Sequence, residues 1–253
     1  MPTMLIIQTG SAPDPIREQH GDFDRWFIDS LGPDRFDYQV IAVDRGQALP
    51  SELSDIAGVL VTGSPAMVSH RLDWSEATAD WISRVHQAGL PLLGVCYGHQ
   101  LIAHALGGRV GPNPAGRRMG TTPVEIVTGS DLLLSGLDSG SNFHVTHMEA
   151  VLELPPGAQV IARVQGDPHH ALYFGQKSWG VQFHPEFDEK IMACYIRLRA
   201  DALSAEGLDP ERLLAEIAPA PSGPAVLQRF ADQLMTPNQS RLPGTRRLNH
   251  QRL

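Results

Sequence analysis

Four short runs of almost unbroken apolar character punctuate the first hundred residues: MLIIQT (4–9), YQVIAV (38–43), GVLVT (58–62) and LLGV (92–95). Strands covered on both faces read this way, because neither side of the sheet meets water. Between them the period changes. Phe23, Trp26, Phe27 and Leu31 recur at helical spacing, as do Trp74, Thr78, Trp81, Ile82 and Val85, so each set marks the buried stripe of a helix. Asp73 with Glu76 predicts a capping box at the start of the second. Strands alternating with helices predict an α/β fold built on a mainly parallel sheet flanked by helices.

A further helix is expected from about Tyr97 to Leu106, stopped by Gly107-Gly108. Shorter strands follow, VEIVTG, AVLELP, AQVIARV, ALYFG and SWGVQF, which are expected to extend the sheet and add an antiparallel layer. Asp188 reads as the N-cap of a helix running to about Asp201. Asp209-Pro210 supplies another cap with proline in the first turn, and Ser222-Gly-Pro224 opens a last helix reaching Met235. These last two helices predict a C-terminal appendage. Residues 236–253 carry Arg241, Arg246, Arg247 and Arg252 with no acidic residue, which predicts a basic, solvated tail.

Composition narrows the picture. An apolar fraction of 42% over 253 residues supports a substantial core. A formal charge of −8 argues against a nucleic-acid binder, which needs a basic face to neutralise phosphates. There is no basic leader and no apolar run long enough to cross a bilayer, so a cytoplasmic location and no membrane partner are expected. Only two cysteines are present, so disulfides do not organise the fold. Cys194 shares a helical stripe with Ile191, Tyr195 and Leu198, and is expected to be a core residue.

Cys96 is different. In PLLGVCYGHQ an apolar strand ends in Gly94-Val-Cys96-Tyr-Gly98 and passes at once into a helix, the pattern of a nucleophile elbow, in which a sharp turn exposes the nucleophile and glycines two residues to either side avoid clashes. A helix N-terminus beneath the sulfur favours thiolate, and the Tyr97 amide can help hold an oxyanion. A thiolate nucleophile needs a basic partner. SWGVQFHPEF provides one at a second strand end, His184, with Glu186 two residues on. In an extended segment those two side chains point the same way, which lets the carboxylate fix the imidazole. A Cys-His-Glu relay is therefore expected at the carboxyl ends of the strands, where open α/β sheets place their ligands.

GVCYGHQ and QFHPE, in this order and separation, resemble the class I (triad) glutamine amidotransferase family, especially stand-alone proteins similar to the glutaminase domain of GMP synthase. The resemblance runs from about Met4 to about Ala200. It implies a flavodoxin-like sheet and residues 1–202 as the amidotransferase-like domain, which leaves 203–235 as the helical appendage and 236–253 as the tail. It further implies that Cys96, His184 and Glu186 are catalytic, that the backbone of Gly63 or Ser64 in Thr62-Gly-Ser-Pro65 joins Tyr97 in an oxyanion hole, and that Gln100, Thr146 and His147 contact L-glutamine. Three departures stand out: Ser64 where many relatives have a second glycine, Arg118 in a segment where they often carry an acid, and Asp167-Pro-His-His170 near a frequent Asn-Gln pair.

Family members pass ammonia to an acceptor on another domain or subunit. No such domain is visible here, so a separate synthetase partner is expected. No cofactor is expected. The histidines His144, His147, His169, His170 and His184 invite a metal reading, but no H-E-x-x-H or paired-cysteine spacing accompanies them, so no metal is expected. Two other functions fit the same residues: a γ-glutamyl hydrolase acting on other γ-glutamyl amides, and a catalytically silent regulatory subunit.

Overall fold

The computed structural model describes residues 1–127 and 131–235. The expected strands and helices of the first hundred residues are present. β1 (Thr3–Gln8), β2 (Asp37–Ala42), β3 (Ile56–Val61) and β4 (Leu92–Val95) alternate with α1 (Asp14–His20), α2 (Phe23–Leu31), α3 (Asp73–Gln87) and α4 (Tyr97–Ala105). Then come β5 (Arg109–Pro112), β6 (Arg118–Ile126), β7 (Ser141–His147), β8 (Glu149–Glu153), β9 (Gln159–Val164), β10 (Asp167–Gly175) and β11 (Ser178–Val181). The chain continues through α5 (Glu189–Leu198), α6 (Ala200–Ala205), α7 (Pro210–Ala215) and α8 (Ser222–Met235).

The main sheet has the order β2-β1-β3-β4-β11-β10-β9-β6-β7. From β2 to β11 every pairing is parallel; from β10 outward every pairing is antiparallel. The flavodoxin-like order of the parallel half puts the carboxyl ends of β3, β4 and β11 side by side. β5 and β8 form a separate antiparallel pair. Alternation along β1 sends Met4 and Ile6 into one apolar layer, under α2, α5 and α8, and Leu5 and Ile7 into the other, under α3 and α4.

The expected C-terminal helices close onto this core. In α8, Val226, Leu227, Phe230 and Ala231 are fully buried within the same apolar layer as β1 and α2, and Leu234 lies against Gly58 of β3. At about 1.5–3 kcal/mol for each large side chain so buried, that contact is substantial. The basic tail falls outside the described residues, as do Thr128 and Gly129 of the VEIVTG strand.

Two of the expected helix caps form. Asp188 caps α5 by accepting from the Ile191 N–H at 2.8 Å, and Asp209 caps α7 with Pro210 in the first turn. Two expectations fail. The capping box at Asp73 does not form: Leu72 is the N-cap, and Glu76 instead meets His104 at 3.0 Å. The helix after Asp188 breaks at Arg199, whose φ of −107° leaves the helical range, before the chain resumes as α6. Among the described residues, no helix is long and apolar enough to cross a membrane.

Candidate active site

Cys96 links β4 to α4 with φ 52° and ψ −100°, a strained setting for a residue with a side chain. Its neighbours make the turn affordable. A Cβ on Gly94 would sit 2.4 Å from the Gly98 carbonyl, and one on Gly98 would sit 2.3 Å from the Val61 oxygen. Only glycine fits either place. The elbow is pinned by the Cys96 N–H donating to Val181 and the Gly98 N–H donating to Thr62. Sγ thus stands over the first turn of α4, where backbone N–H groups lack intrahelical acceptors.

His184 and Cys96 line one cavity with Ser64 and Thr146, and His184 Nδ1 donates to Glu186 Oε1 at 2.7 Å. The route differs from the extended segment expected. β11 ends at Val181, and Pro185-Glu186 form a turn closed by the Phe187 N–H on the His184 carbonyl, so the carboxylate curls back onto the ring. His184 is fixed by its own N–H donating to the His144 carbonyl at 2.8 Å and by stacking on Phe187, ring centroids 4.1 Å apart. Burial opposes a charge on this imidazole, but Glu186 and Cys96 overrule it and hold the pKa up at about 10. The arrangement sets a charged imidazole between the Cys96 sulfur and a buried carboxylate.

The turn after β3 faces the sulfur. Gly63 packs so closely that an added Cβ would come within 3.0 Å of His184 Cε1. The Thr9 and Thr62 hydroxyls both lie 3.0 Å from the Gly63 carbonyl oxygen and hold the turn. Ser64, the departure from a double glycine, is accommodated. Its hydroxyl donates to the Thr9 carbonyl at 2.7 Å and accepts from the Ala66 N–H, while a Cβ on Gly10 would crowd that hydroxyl at 2.8 Å. The side chain gained at 64 is matched by the one absent at 10.

The remaining sequence candidates gather around the same cleft. Gln100, Thr146 and His147 line it with Cys96, Tyr97 and Ser64. Gln100 is not a solvated helix residue: its amide donates to the Glu149 carbonyl at 2.8 Å and to Gln182 at 2.9 Å, leaving its own carbonyl oxygen for a ligand. The Thr146 carbonyl lies 3.6 Å from Sγ. Arg118 is not in the cleft; it pairs in register with His147 from β6. His169 also lies apart from the cleft, its Nδ1 donating to the Val151 carbonyl. Cys194 is half-buried, 3.3 Å from His20.

Three contributors escaped sequence reasoning. Glu149, buried, places its carboxylate at the cleft wall and accepts from the Ser69 N–H at 3.2 Å. Arg117, held by Glu206, and Arg199 bring two guanidiniums to the rim. Arg199 owes its place to the break between α5 and α6, which periodicity does not announce.

The profile of the family described as glutamine amidotransferase class-I matches residues 18–196. A glutamine-hydrolysing GMP synthase of Porphyromonas gingivalis is 38% identical over 143 residues, 54% of this chain and 26% of that protein. One from Aeropyrum pernix is 40% identical over 141 residues, 56% of this chain and 25% of that protein. The chain thus spans about a quarter of the length of these relatives. A glutamine amidotransferase structure from Thermotoga maritima shares the fold with a TM-score of 0.71 at 20% identity, over 93% of this chain and 97% of that one. The chain belongs to the class I glutamine amidotransferase family.

Proposed function

We propose that the protein hydrolyses the side-chain amide of L-glutamine through a cysteinyl thioester and yields ammonia for a partner synthetase. The observation that carries this reading is the gathering in one cleft of Cys96, over a helix N-terminus, and His184, itself hydrogen-bonded to the buried Glu186. Thiolate attack on the amide carbonyl forms a tetrahedral oxyanion, held by the Tyr97 N–H and a backbone N–H of the Gly63-Ser64 turn. The His184 imidazolium gives its proton to the departing nitrogen, and ammonia leaves a γ-glutamyl thioester. His184, now neutral, takes a proton from water as the water attacks; glutamate departs and the thiolate–imidazolium pair returns. Glu186 keeps Nδ1 protonated throughout.

Gln100, Thr146 and His147 serve as the substrate's polar contacts, and the guanidinium of Arg199 at the rim suits its α-carboxylate. The matched relatives are named for GMP synthesis, but each extends well beyond the region shared here, so the acceptor of the ammonia is left open to any synthetase that docks over this cleft. Two cationic side chains at the rim also suit γ-glutamyl compounds with a further carboxylate, the specific ground for keeping a γ-glutamyl hydrolase as second reading. The test is glutamate release by the full chain from glutamine beside a panel of γ-glutamyl amines. Glutamine turnover in preference to the panel supports the proposal; preference for the panel replaces it with the second reading, and no turnover of either defeats both.

A further inference from the structure

The family profile ends at residue 196, and α6, α7 and α8 lie beyond it. These helices nevertheless reach the turn that carries His184 and Glu186. Gly223, in the first turn of α8, is buried, and a Cβ added there would sit 2.6 Å from the carbonyl oxygen of Pro185 and 3.1 Å from its Cα. Gly223 does not adopt a positive φ, so close approach rather than backbone freedom calls for glycine. Pro185 is the residue between the imidazole and its carboxylate.

A second contact comes from the loop between α7 and α8. The Ala218 N–H donates to Thr121 Oγ1 at 3.1 Å, and the same oxygen lies 3.2 Å from His144 Nδ1. The His144 carbonyl in turn accepts the His184 N–H at 2.8 Å. Through β6 and β7 the loop is thus linked to the backbone of His184.

The turn is weakly held by its own bonds. The Phe187 N–H meets the His184 carbonyl at 3.4 Å, long for a hydrogen bond. Glu186 Oε1 accepts from His184, while Oε2 is buried and, among the described residues, meets no hydrogen-bonding partner. The place of the carboxylate therefore follows from the backbone on either side of it, and from what packs against Pro185. The helix that does so is firmly seated: Val226, Leu227, Phe230 and Ala231 are buried in the core, and Arg35 of α2 reaches Gln228 at 2.8 Å and also Asp232. Close-packed interiors transmit such constraints.

We propose that Gly223 and Thr121 are positioning residues for the His184-Pro185-Glu186 turn, Gly223 by seating α8 on Pro185 and Thr121 by tying the α7–α8 loop to His144. The C-terminal helices thereby take part in turnover. This rests on the reading of His184 and Glu186 as partners of the Cys96 thiolate. Misplacement of a catalytic group by about 1 Å can cost about 100-fold in rate. Neither Gly223 nor Thr121 lines the cleft, so loss of the support is expected in kcat and not in KM.

The test is steady-state kinetics on the full chain with its preferred γ-glutamyl substrate, at a temperature where circular dichroism shows every variant folded. Gly223→Ala should lower kcat about tenfold or more and leave KM within about twofold of wild type. Thr121→Val keeps the shape and removes the hydroxyl; it should lower kcat about three- to tenfold, and Thr121→Ser should restore it. Arg35→Ala loosens α8 from α2 without touching the turn and should leave kcat unchanged even where the melting temperature falls. Wild-type kcat in both Gly223→Ala and Thr121→Val, an equal loss in Arg35→Ala, or no restoration by serine overturns the proposal. Should Gly223→Ala fail to fold, the Thr121 pair decides by the same criteria. A wild-type chain that turns over neither glutamine nor any γ-glutamyl amine fails differently: the reading of Cys96, His184 and Glu186 falls, and this inference with it.

Discussion

Replacing Glu186 by Gln keeps the shape of the side chain and removes its charge, which isolates what the carboxylate does for His184. The imidazole is fully enclosed, so without Glu186 burial pushes it toward the neutral form. The span from 6.5 to about 10 that the intact site supports is worth on the order of 4–5 kcal/mol at about 1.36 kcal/mol per pH unit. Cys96 supplies part of this, so the carboxylate's share is about 2–3 kcal/mol. The sign follows from linkage. A histidine whose folded pKa lies above its unfolded value stabilises the fold fully below pH 6.5 and loses that contribution as pH rises through about 10. Urea denaturation of wild type and Glu186→Gln should therefore differ by about 2–3 kcal/mol at pH 6 and converge above pH 10. The turnover number should fall about 100-fold or more at pH 7, because neutral His184 no longer sustains the thiolate or protonates the leaving nitrogen. A stability gap that is independent of pH, or that widens toward pH 10.5, would refute the ion-pair account even if activity were lost.

The other predictions concern the backbone around the sulfur. Gly98→Ala drives a Cβ to 2.3 Å from the Val61 oxygen, so the elbow must shift; a cost of about 1–3 kcal/mol in denaturant midpoint and about a 100-fold loss of turnover are expected, and an active, equally stable variant would show the contact to be slack. Gly10→Ala should destabilise the protein by about 1–3 kcal/mol, and Ser64→Gly should relieve it only in part, since the clash with Ser64 Oγ goes but that with Pro65 Cδ at 2.7 Å stays; additive effects in a double-mutant cycle would contradict the proposed pairing. Asp188→Ala removes the cap of α5 and should cost about 1 kcal/mol while leaving the Michaelis constant unchanged, measured by thermal melts and steady-state kinetics.

The parallel half of the sheet was legible because its strands are buried on both faces, and 58–62 or 92–95 can scarcely be anything else. The elbow was legible for a related reason: Gly94 and Gly98 answer to local sterics that leave a mark in sequence. β7 was not anticipated as a strand, because SNFHVTH mixes polar and apolar residues at a sheet edge, where hydrophobic periodicity is weak. Glu76 looked like a capping residue by spacing alone, and the tertiary contact with His104 prevailed. The match between Gly10 and Ser64, and the seating of Gly223 on Pro185, depend on segments far apart in the chain, which no local pattern encodes.

The central claim is that Cys96 attacks a γ-glutamyl carbonyl with His184 as its proton partner. Mass spectrometry of the full chain after reaction with a glutamine-mimicking electrophile tests this most directly. One adduct per chain, located on Cys96, blocked by excess glutamine and slowed in His184→Ala, is the expected result. Labelling that falls on Cys194, or that proceeds on Cys96 at the same rate with or without glutamine and His184, would contradict the account.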